Sequence, residues 1–327
     1  MKYYLGVDIG SVSSNFVLTN PRGEVVEAIY LRTMGNPVQA VRQGLSMVMK
    51  KYPETTIRGI GTTGSARRLA AVIMGADVVK NEITAHAVAA SKFYPEVRTV
   101  VEIGGQDSKI IILRDGIVVD FAMNTVCAAG TGSFLDQQAM RLDIPIEHFG
   151  RQALKSKQLV RIAGRCGVFA ESDMIHKQQM GYPVEDIIAG LCEALARNFL
   201  NNVAKGKDIQ EPVVFQGGVA ANMGMKQAFE KLLGKPVMVP QQYHVMGALG
   251  AAILASESIT HRKGSRFKGC GFVLEGDFTT RSFECNGCPN MCEVVTIKRD
   301  EEVLAYWGDR CRRWEASLTE QRPALAW

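Results

Sequence analysis

Eight cysteines lie in this chain of 327 residues, and their spacing sorts them by the chemistry they can do. Cys285, Cys288, Cys292 and Cys311 read C-x2-C-x3-C-x18-C, four thiols with a CxxC at one end, the pattern of a metal centre. Tetrahedral Zn2+ and a second iron–sulfur cluster use the same ligands, and the spacing leaves both open. Cys127, in Cys-Ala-Ala-Gly-Thr-Gly, and Cys166, in Gly-Arg-Cys-Gly, each precede an expected helix. Unpaired backbone N–H groups there favour a thiolate or an anionic cluster. Two thiolates are half of the four that a [4Fe–4S] cluster takes, so a symmetric homodimer would complete the set on its two-fold axis. The competing readings are two inert core cysteines, or Zn2+ on the same pair with His176. Cys192 falls on the apolar stripe of a helix and is expected in the core, and Cys270 has no evident partner and is a spare or substitute ligand.

Three glycine-rich loops carry a second chemistry. Asp8-Ile-Gly10-Ser11-Val-Ser13 places an acid at a strand end and hydroxyls in the turn. Glu102-Ile-Gly104-Gly105-Gln106-Asp107-Ser108-Lys109 repeats that design, and Gln216-Gly217-Gly218 leads to Asn222 at a helix start. Two such turns facing each other can hold β- and γ-phosphates by backbone donors, with Asp8, Glu102 and Asp107 on Mg2+ directly or through water. The third loop would take the adenosine side. Gly59-Ile-Gly-Thr-Thr-Gly64 has the form of a dinucleotide fingerprint, but the strand before it is short and half polar, and a Walker A loop is absent.

The elements that must position these residues read as a duplicated β-β-β-α unit, three strands and a helix from the N-terminus and a similar order from Val97. Helices are expected over 128–142, 167–180 and 184–203. The basic, glycine-containing stretch His261–Gly269 is expected to be a linker to a small Cys-rich tail holding a hairpin at 294–308. The expected domains are 1–95 with 245–262, 96–244, and 263–327. An apolar fraction of 46% with 22% charged residues excludes disorder, and a surplus of five basic residues over acidic ones is too small and scattered to imply nucleic acid. No apolar run approaches the roughly 20 residues of a membrane span, and a cytoplasmic protein is expected.

Asp8–Asn15, Glu102–Lys109 and Phe215–Asn222 together resemble the phosphate and adenosine motifs of the actin-like and sugar-kinase-like ATPases. The stretches 81–90 and 244–253 resemble that superfamily's connecting helices. The segments around Cys127 and Cys166 narrow the resemblance to activators of 2-hydroxyacyl-CoA dehydratases and benzoyl-CoA reductases. The tail makes the chain resemble reductases of double-cubane cluster proteins. The resemblance implies an α/β fold with two RNase H-like domains flanking a nucleotide cleft, ATP or ADP with Mg2+ as ligands, and a cluster shared between two chains. It implies an ATP-driven one-electron donor, charged by a ferredoxin or flavodoxin, that reduces an iron–sulfur dehydratase or reductase. In that reading Asp8 and Glu102 position Mg2+ and Gln106 or Asp107 orients the attacking water. Ser11, Ser13, Ser108 and Lys109 hold phosphate, and Gly10, Gly104, Gly105, Gly217, Gly218, Asn222 and Gly247 shape the nucleotide site. The alternatives are a small-molecule kinase with Asp107 as base, which leaves the two thiols without a role, and a metal-dependent scaffold, which leaves the three loops without one.

Overall fold

The computed structural model describes residues 2–124, 127–164, 166–259 and 264–321. The first unit comprises β1 (Tyr3–Ile9), β2 (Ser13–Thr19), β3 (Val25–Arg32), α1 (Pro37–Met49), β4 (Ile57–Thr63), α2 (Arg67–Met74), β5 (Val78–Val79) and α3 (Glu82–Phe93). The second comprises β6 (Thr99–Ile103), β7 (Ser108–Arg114), β8 (Ile117–Asn124), α4 (Gly132–Arg141), α5 (Ile146–Ala153), α6 (Gly167–Gln179), α7 (Val184–Asn202), β9 (Val213–Gln216), α8 (Met223–Leu233) and β10 (Val237–Met238). Then α9 (Met246–Ile259) returns to the first sheet, and α10 (Cys270–Glu275), β11 (Phe278–Glu284), β12 (Glu293–Arg299), β13 (Glu302–Trp307) and α11 (Arg313–Gln321) end the chain. No described helix is long and apolar enough to cross a membrane.

The duplication expected from the sequence is exact in connectivity. Sheet I runs β3-β2-β1-β4-β5 and sheet II runs β8-β7-β6-β9-β10. In each, the first three strands are antiparallel and the last two join them in parallel. Strand alternation then builds five layers. Leu5, Val7 and Ile9 face Val41 and Leu45 of α1 and Ile73 of α2 on the outer side of sheet I. The intervening Gly6 faces α9, so close that a Cβ there would collide with the carbonyl of Ala248. The Ala/Gly-rich α9 and α3 fill the middle layer, where Val17 of sheet I and Val100, Ile111 and Val214 of sheet II share one core. Val101, Ile103 and Phe215 pack outward against α4, α5, α7 and α8 around Leu191, Phe199 and Phe229. Cys192 is buried here as expected, and burial pushes its thiol up to about 12.

Two expectations are revised. The helix expected to begin at Ala128 is a single 3-10 turn over Ala128–Gly130, after which Thr131 is extended and α4 starts at Gly132. The reason is competition for donors: the amides of Gly132 and Ser133 go to the carbonyls of Gly104 and Gly105, at 2.9 and 2.8 Å. The stretch expected as a linker lies partly outside the described residues, at 261–263. Its remainder is pinned, with Ser265 Oγ and the Arg266 amide donating to Asp77 (2.7 Å each) and the Lys268 amide to Met74 (3.0 Å). Val273, Phe278 and Ile297 beyond it join the same buried cluster as Leu5 and Leu45. The third sheet, β11-β12-β13, is therefore an extension of the outer layer of sheet I.

Candidate functional site

The first and second phosphate turns have one geometry. Gly10 N donates to Ser13 O at 2.9 Å and Gly104 N to Asp107 O at 3.0 Å, each closing a hairpin just past an acidic strand residue. They face each other, and a Cβ on Gly105 would meet the side chain of Val12. The parallel neighbours β4 and β9 end in equivalent glycines: Gly64 (φ +93°) lies against the Asp8 carboxyl and Gly217 (φ +89°) against that of Glu102. Both need the left-handed region, and a Cβ on either would strike the adjacent carbonyl, of Ile9 or Ile103. The glycines of the supposed dinucleotide fingerprint thus have other work. Gly61 lets β4 lie against the Ala251 carbonyl of α9, and Gly64 makes room for Asp8.

Between the sheets lies a cavity of about 660 Å3, the size of a nucleotide site. Asp8, Glu102, Gln106 and Asp107 line it. So do Gly10, Ser11, Ser13, Gly104, Gly105 and Lys109 from the two turns, and Gly217, Gly218, Asn222 and Gly247 from the opposite wall. Ser108 does not: on β7 it alternates with Lys109, so Lys109 faces the cleft while Ser108 is fully buried on the other side, towards Gly130. Asn222 is primarily a helix cap, its Oδ1 accepting from the Met225 amide at 3.1 Å.

The floor of the cavity is strongly acidic. Lys109 Nζ sits 2.8 Å from Glu82, 2.8 Å from Glu102 and 3.0 Å from Asp107. Burial opposes its charge, but these carboxylates, Glu102 foremost, raise it well above the usual lysine range. Glu102 itself is raised by burial, against the pull of Lys109. Among the described residues Asp8 makes no salt bridge; desolvation first, then Glu82, Glu102 and Asp107, push it from 3.8 up to about 8 despite Lys109. Four carboxylates against one ammonium is a charge deficit that a divalent cation accompanying phosphates would fill, with Asp8 the least committed oxygen donor. His86 is held neutral, lowered to about 4 by burial and then by Lys109, and its Nδ1 pairs with Gln216 Nε2 at 2.9 Å. Sequence reasoning missed Glu82 and His86. An acid at the first turn of a helix looks like an ordinary dipole partner, and Asn81 caps α3 in the ordinary way, with Oδ1 accepting from Thr84 N at 2.8 Å.

The turns of the second unit that carry Cys127 and Cys166 abut. A Cβ on Gly167, next to Cys166, would lie 3.7 Å from Phe134 and 4.0 Å from Ala129, two residues past Cys127. Asn198 of α7 holds the Cys166 side, Nδ2 donating to Gly164 O at 2.5 Å. Asn124 at the end of β8 holds the Cys127 side, its Nδ2 donating to Cys127 O at 2.8 Å and its Oδ1 accepting from Cys127 N at 3.0 Å. Both thiols are free, Cys127 exposed and Cys166 half-buried. Only Cys166 starts an α-helix. Two accessible thiols with amide-rich turns beneath them suit a shared iron–sulfur cluster and are too few to hold one alone.

The nucleotide turn and the thiol turn are joined directly. Besides the two amide bonds from Gly132 and Ser133, Ser133 Oγ donates to Gly105 O at 2.5 Å, so α4 hangs from the second phosphate loop. The tail thiols lie elsewhere, at the far end of the third sheet. Among the described residues no three His, Cys, Asp or Glu side chains are gathered closely enough to hold a metal ion, so the expected four-thiol shell is not assembled in this structure.

A family model for the BadF/BadG/BcrA/BcrD ATPases matches residues 5–255. The (R)-2-hydroxyglutaryl-CoA dehydratase activating ATPase of Acidaminococcus fermentans is 35% identical over 255 residues, 77% of this chain and 96% of that one. The 2-hydroxyisocaproyl-CoA dehydratase activator of Clostridioides difficile is 34% identical over 260 residues, 77% of this chain and 94% of the relative. The solved structure of an activator of the 2-hydroxyisocaproyl-CoA dehydratase from Clostridium difficile, with bound ADPNP, superposes with a TM-score of 0.73 at 32% identity, covering 80% of this chain and 97% of the other. With its paired sheets and facing phosphate turns, this chain has the actin-like, sugar-kinase-like ATPase fold and belongs to the BadF/BadG/BcrA/BcrD ATPase family.

Proposed function

We propose that the chain is an ATP-dependent, low-potential one-electron donor that works as a homodimer and reduces an iron–sulfur partner enzyme. That partner is a double-cubane cluster protein or a 2-hydroxyacyl-CoA dehydratase. The observation that carries this reading is the set of three hydrogen bonds from Gly132 and Ser133 to the second phosphate loop, five residues along the chain from Cys127. A change in how Gly104 and Gly105 hold a phosphate pulls directly on the turn that presents the thiol. In the cleft, Asp8 holds the nucleotide's Mg2+, Gln106 or Asp107 orients the attacking water, and the amides of both turns hold phosphate oxygens. Lys109 keeps Glu102 and Asp107 in place through its ion pairs. Cys127 and Cys166 from each of two copies hold a [4Fe–4S] cluster, which supplies the one-electron chemistry.

The surface around the thiols supports association. Val168 and Phe169, just past Cys166, are 71% and 69% exposed, and the edge strand β8 turns Ile117, Val119, Phe121 and Met123 outward. Such a face suits a second copy and a partner enzyme. A reduced thiol pair and an ATP site also fit a cytoplasmic protein charged by a ferredoxin or flavodoxin. The kinase reading is weaker, because it leaves both thiols unused. Anaerobic purification and a visible spectrum test the proposal. It predicts a brown protein that bleaches with dithionite and hydrolyses ATP; a colourless protein that phosphorylates a metabolite contradicts it.

A further inference from the structure

The third sheet and α11 lie beyond residue 255, where the family match ends, and they carry four of the eight cysteines. β11 starts in the core of the first unit at Phe278 and runs outward for seven residues, about 20 Å, to Glu284. Its pairing with β12, Glu284 opposite Glu293, brings Cys285 and Cys292 face to face, and the Cys285 amide donates to Cys292 O at 2.8 Å. Cys288 lies in the connecting turn, its carbonyl accepting from the Met291 amide at 3.2 Å. β13 ends beside the same place, its Gly308 against the carbonyl of Glu293. The chain then folds over this corner. Asp309 accepts from the Trp314 amide at 2.9 Å and lies 3.9 Å from Cys311 Sγ, and the Trp314 ring packs between Phe283 and Tyr306 with centroids 4.9 and 5.4 Å away.

From that seat Trp314 Nε1 donates to Cys285 Sγ at 3.3 Å. The space beside Gly287 separates that sulfur from an Arg313 guanidinium, a Cβ there lying 3.5 Å from Sγ and 3.6 Å from Nη1. An indole N–H donating to a sulfur, with a guanidinium across the adjacent glycine, suits a thiolate and does little for a thiol. The geometry points to a tetrathiolate zinc site formed by Cys285, Cys288, Cys292 and Cys311, with Cys285 the ligand already oriented. The other three thiols close on the ion when it binds, since metal and local folding are coupled in small modules of this kind. A cavity of about 500 Å3 beside Cys285 and Trp314 leaves the loop room to move.

The site is structural. It ties the hairpin turn to the segment that carries α11, and it stands outside sheet I, whereas the Cys127 and Cys166 turns belong to sheet II beyond the middle helical layer. Cys270 is not a ligand: its amide donates to Glu54 at 3.0 Å at the core end of β11, the whole length of the strand away. This inference stands apart from the electron-transfer reading, because its ligands and its metal are different.

The test is metal content and cobalt spectroscopy on the full chain. About one zinc per chain is expected, retained in a Cys127→Ser, Cys166→Ser double variant and in Cys270→Ser. It should fall at least about tenfold in Cys285→Ser. Cys288→Ser and Cys311→Ser, whose side chains are exposed and lie outside the core, give the same loss. Co2+ loaded in place of zinc should show the ligand-field bands of a tetrahedral thiolate site, and Trp314→Phe should weaken metal retention while leaving ATP hydrolysis unchanged. Zinc unchanged in Cys288→Ser and Cys311→Ser, no zinc in the wild type, or iron with sulfide in the Cys127→Ser, Cys166→Ser variant overturns the inference.

Discussion

Replacing Asp8 by Asn should make the nucleotide-free protein more stable at alkaline pH while destroying its activity. Among the described residues the carboxyl is the one acid of the cleft floor without a salt bridge, and its surroundings lift it from 3.8 to about 8. A raised carboxylate favours the folded state only while protonated. The stability linked to Asp8 is therefore complete below about pH 4 and is lost as pH rises to about 8. A rise of about four units at about 1.36 kcal/mol each sets a ceiling near 6 kcal/mol. Water entering the open cleft screens the carboxylate and brings a realistic value to about 2–4 kcal/mol. Asn keeps the shape and never ionises. Urea unfolding at pH 4, 7 and 9, without nucleotide or Mg2+, should show the variant about equal to wild type at pH 4 and more stable by that amount at pH 9. Adding Mg2+ with a nucleotide should stabilise the wild type far more than the variant, and Mg2+-dependent hydrolysis should fall by at least about a hundredfold. A variant less stable than wild type at pH 9, or a difference that does not change with pH, would refute the reasoning.

Lys109→Met leaves three carboxylates around a vacated ammonium site, and loss of a buried ion-pair partner should cost about 3–5 kcal/mol at pH 7, less at pH 5; thermal unfolding at the two pH values measures it. Gly217→Ala forces a Cβ onto the Ile103 carbonyl at φ +89° and should reduce nucleotide affinity in calorimetry by tenfold or more, about 1.4 kcal/mol. Ser133→Ala removes one hydrogen bond worth about 1 kcal/mol. It should leave ATP hydrolysis near wild type while lowering electron delivery to the partner per ATP consumed, whereas a parallel loss of both would make Ser133 merely structural.

The phosphate turns were legible because an acid, one residue and a glycine at the end of an apolar strand is a local pattern, and it occurs twice. Their neighbours were not. Gly64 and Gly217 have the same job beside Asp8 and Glu102, but Gly64 sat inside a string that looked like a dinucleotide loop, and only the parallel pairing of β4 with β1 shows what it does. Glu82 comes to Lys109 from another element, a long-range contact that no spacing encodes. Of the neighbours Ser108 and Lys109, both expected on phosphate, only Lys109 lines the cleft, because adjacent strand residues point to opposite faces. The helix expected from Ala128 starts at Gly132 instead, because propensity cannot register the carbonyls of Gly104 and Gly105, which take the amides that would have extended α4. The tail cysteines were legible as a metal pattern, yet their packing onto the first unit rests on Val273, Phe278 and Ile297, three apolar residues without periodicity.

The central claim is that Cys127 and Cys166 of two copies together hold one redox group under the control of the nucleotide cleft. Iron and acid-labile sulfide, measured with solution mass on anaerobically purified protein, test it most directly. Wild type should hold about four irons per two chains, and Cys127→Ser and Cys166→Ser should each lose essentially all of it while still binding ATP. Unchanged iron in either variant, or a full complement on a monomer, would contradict the account.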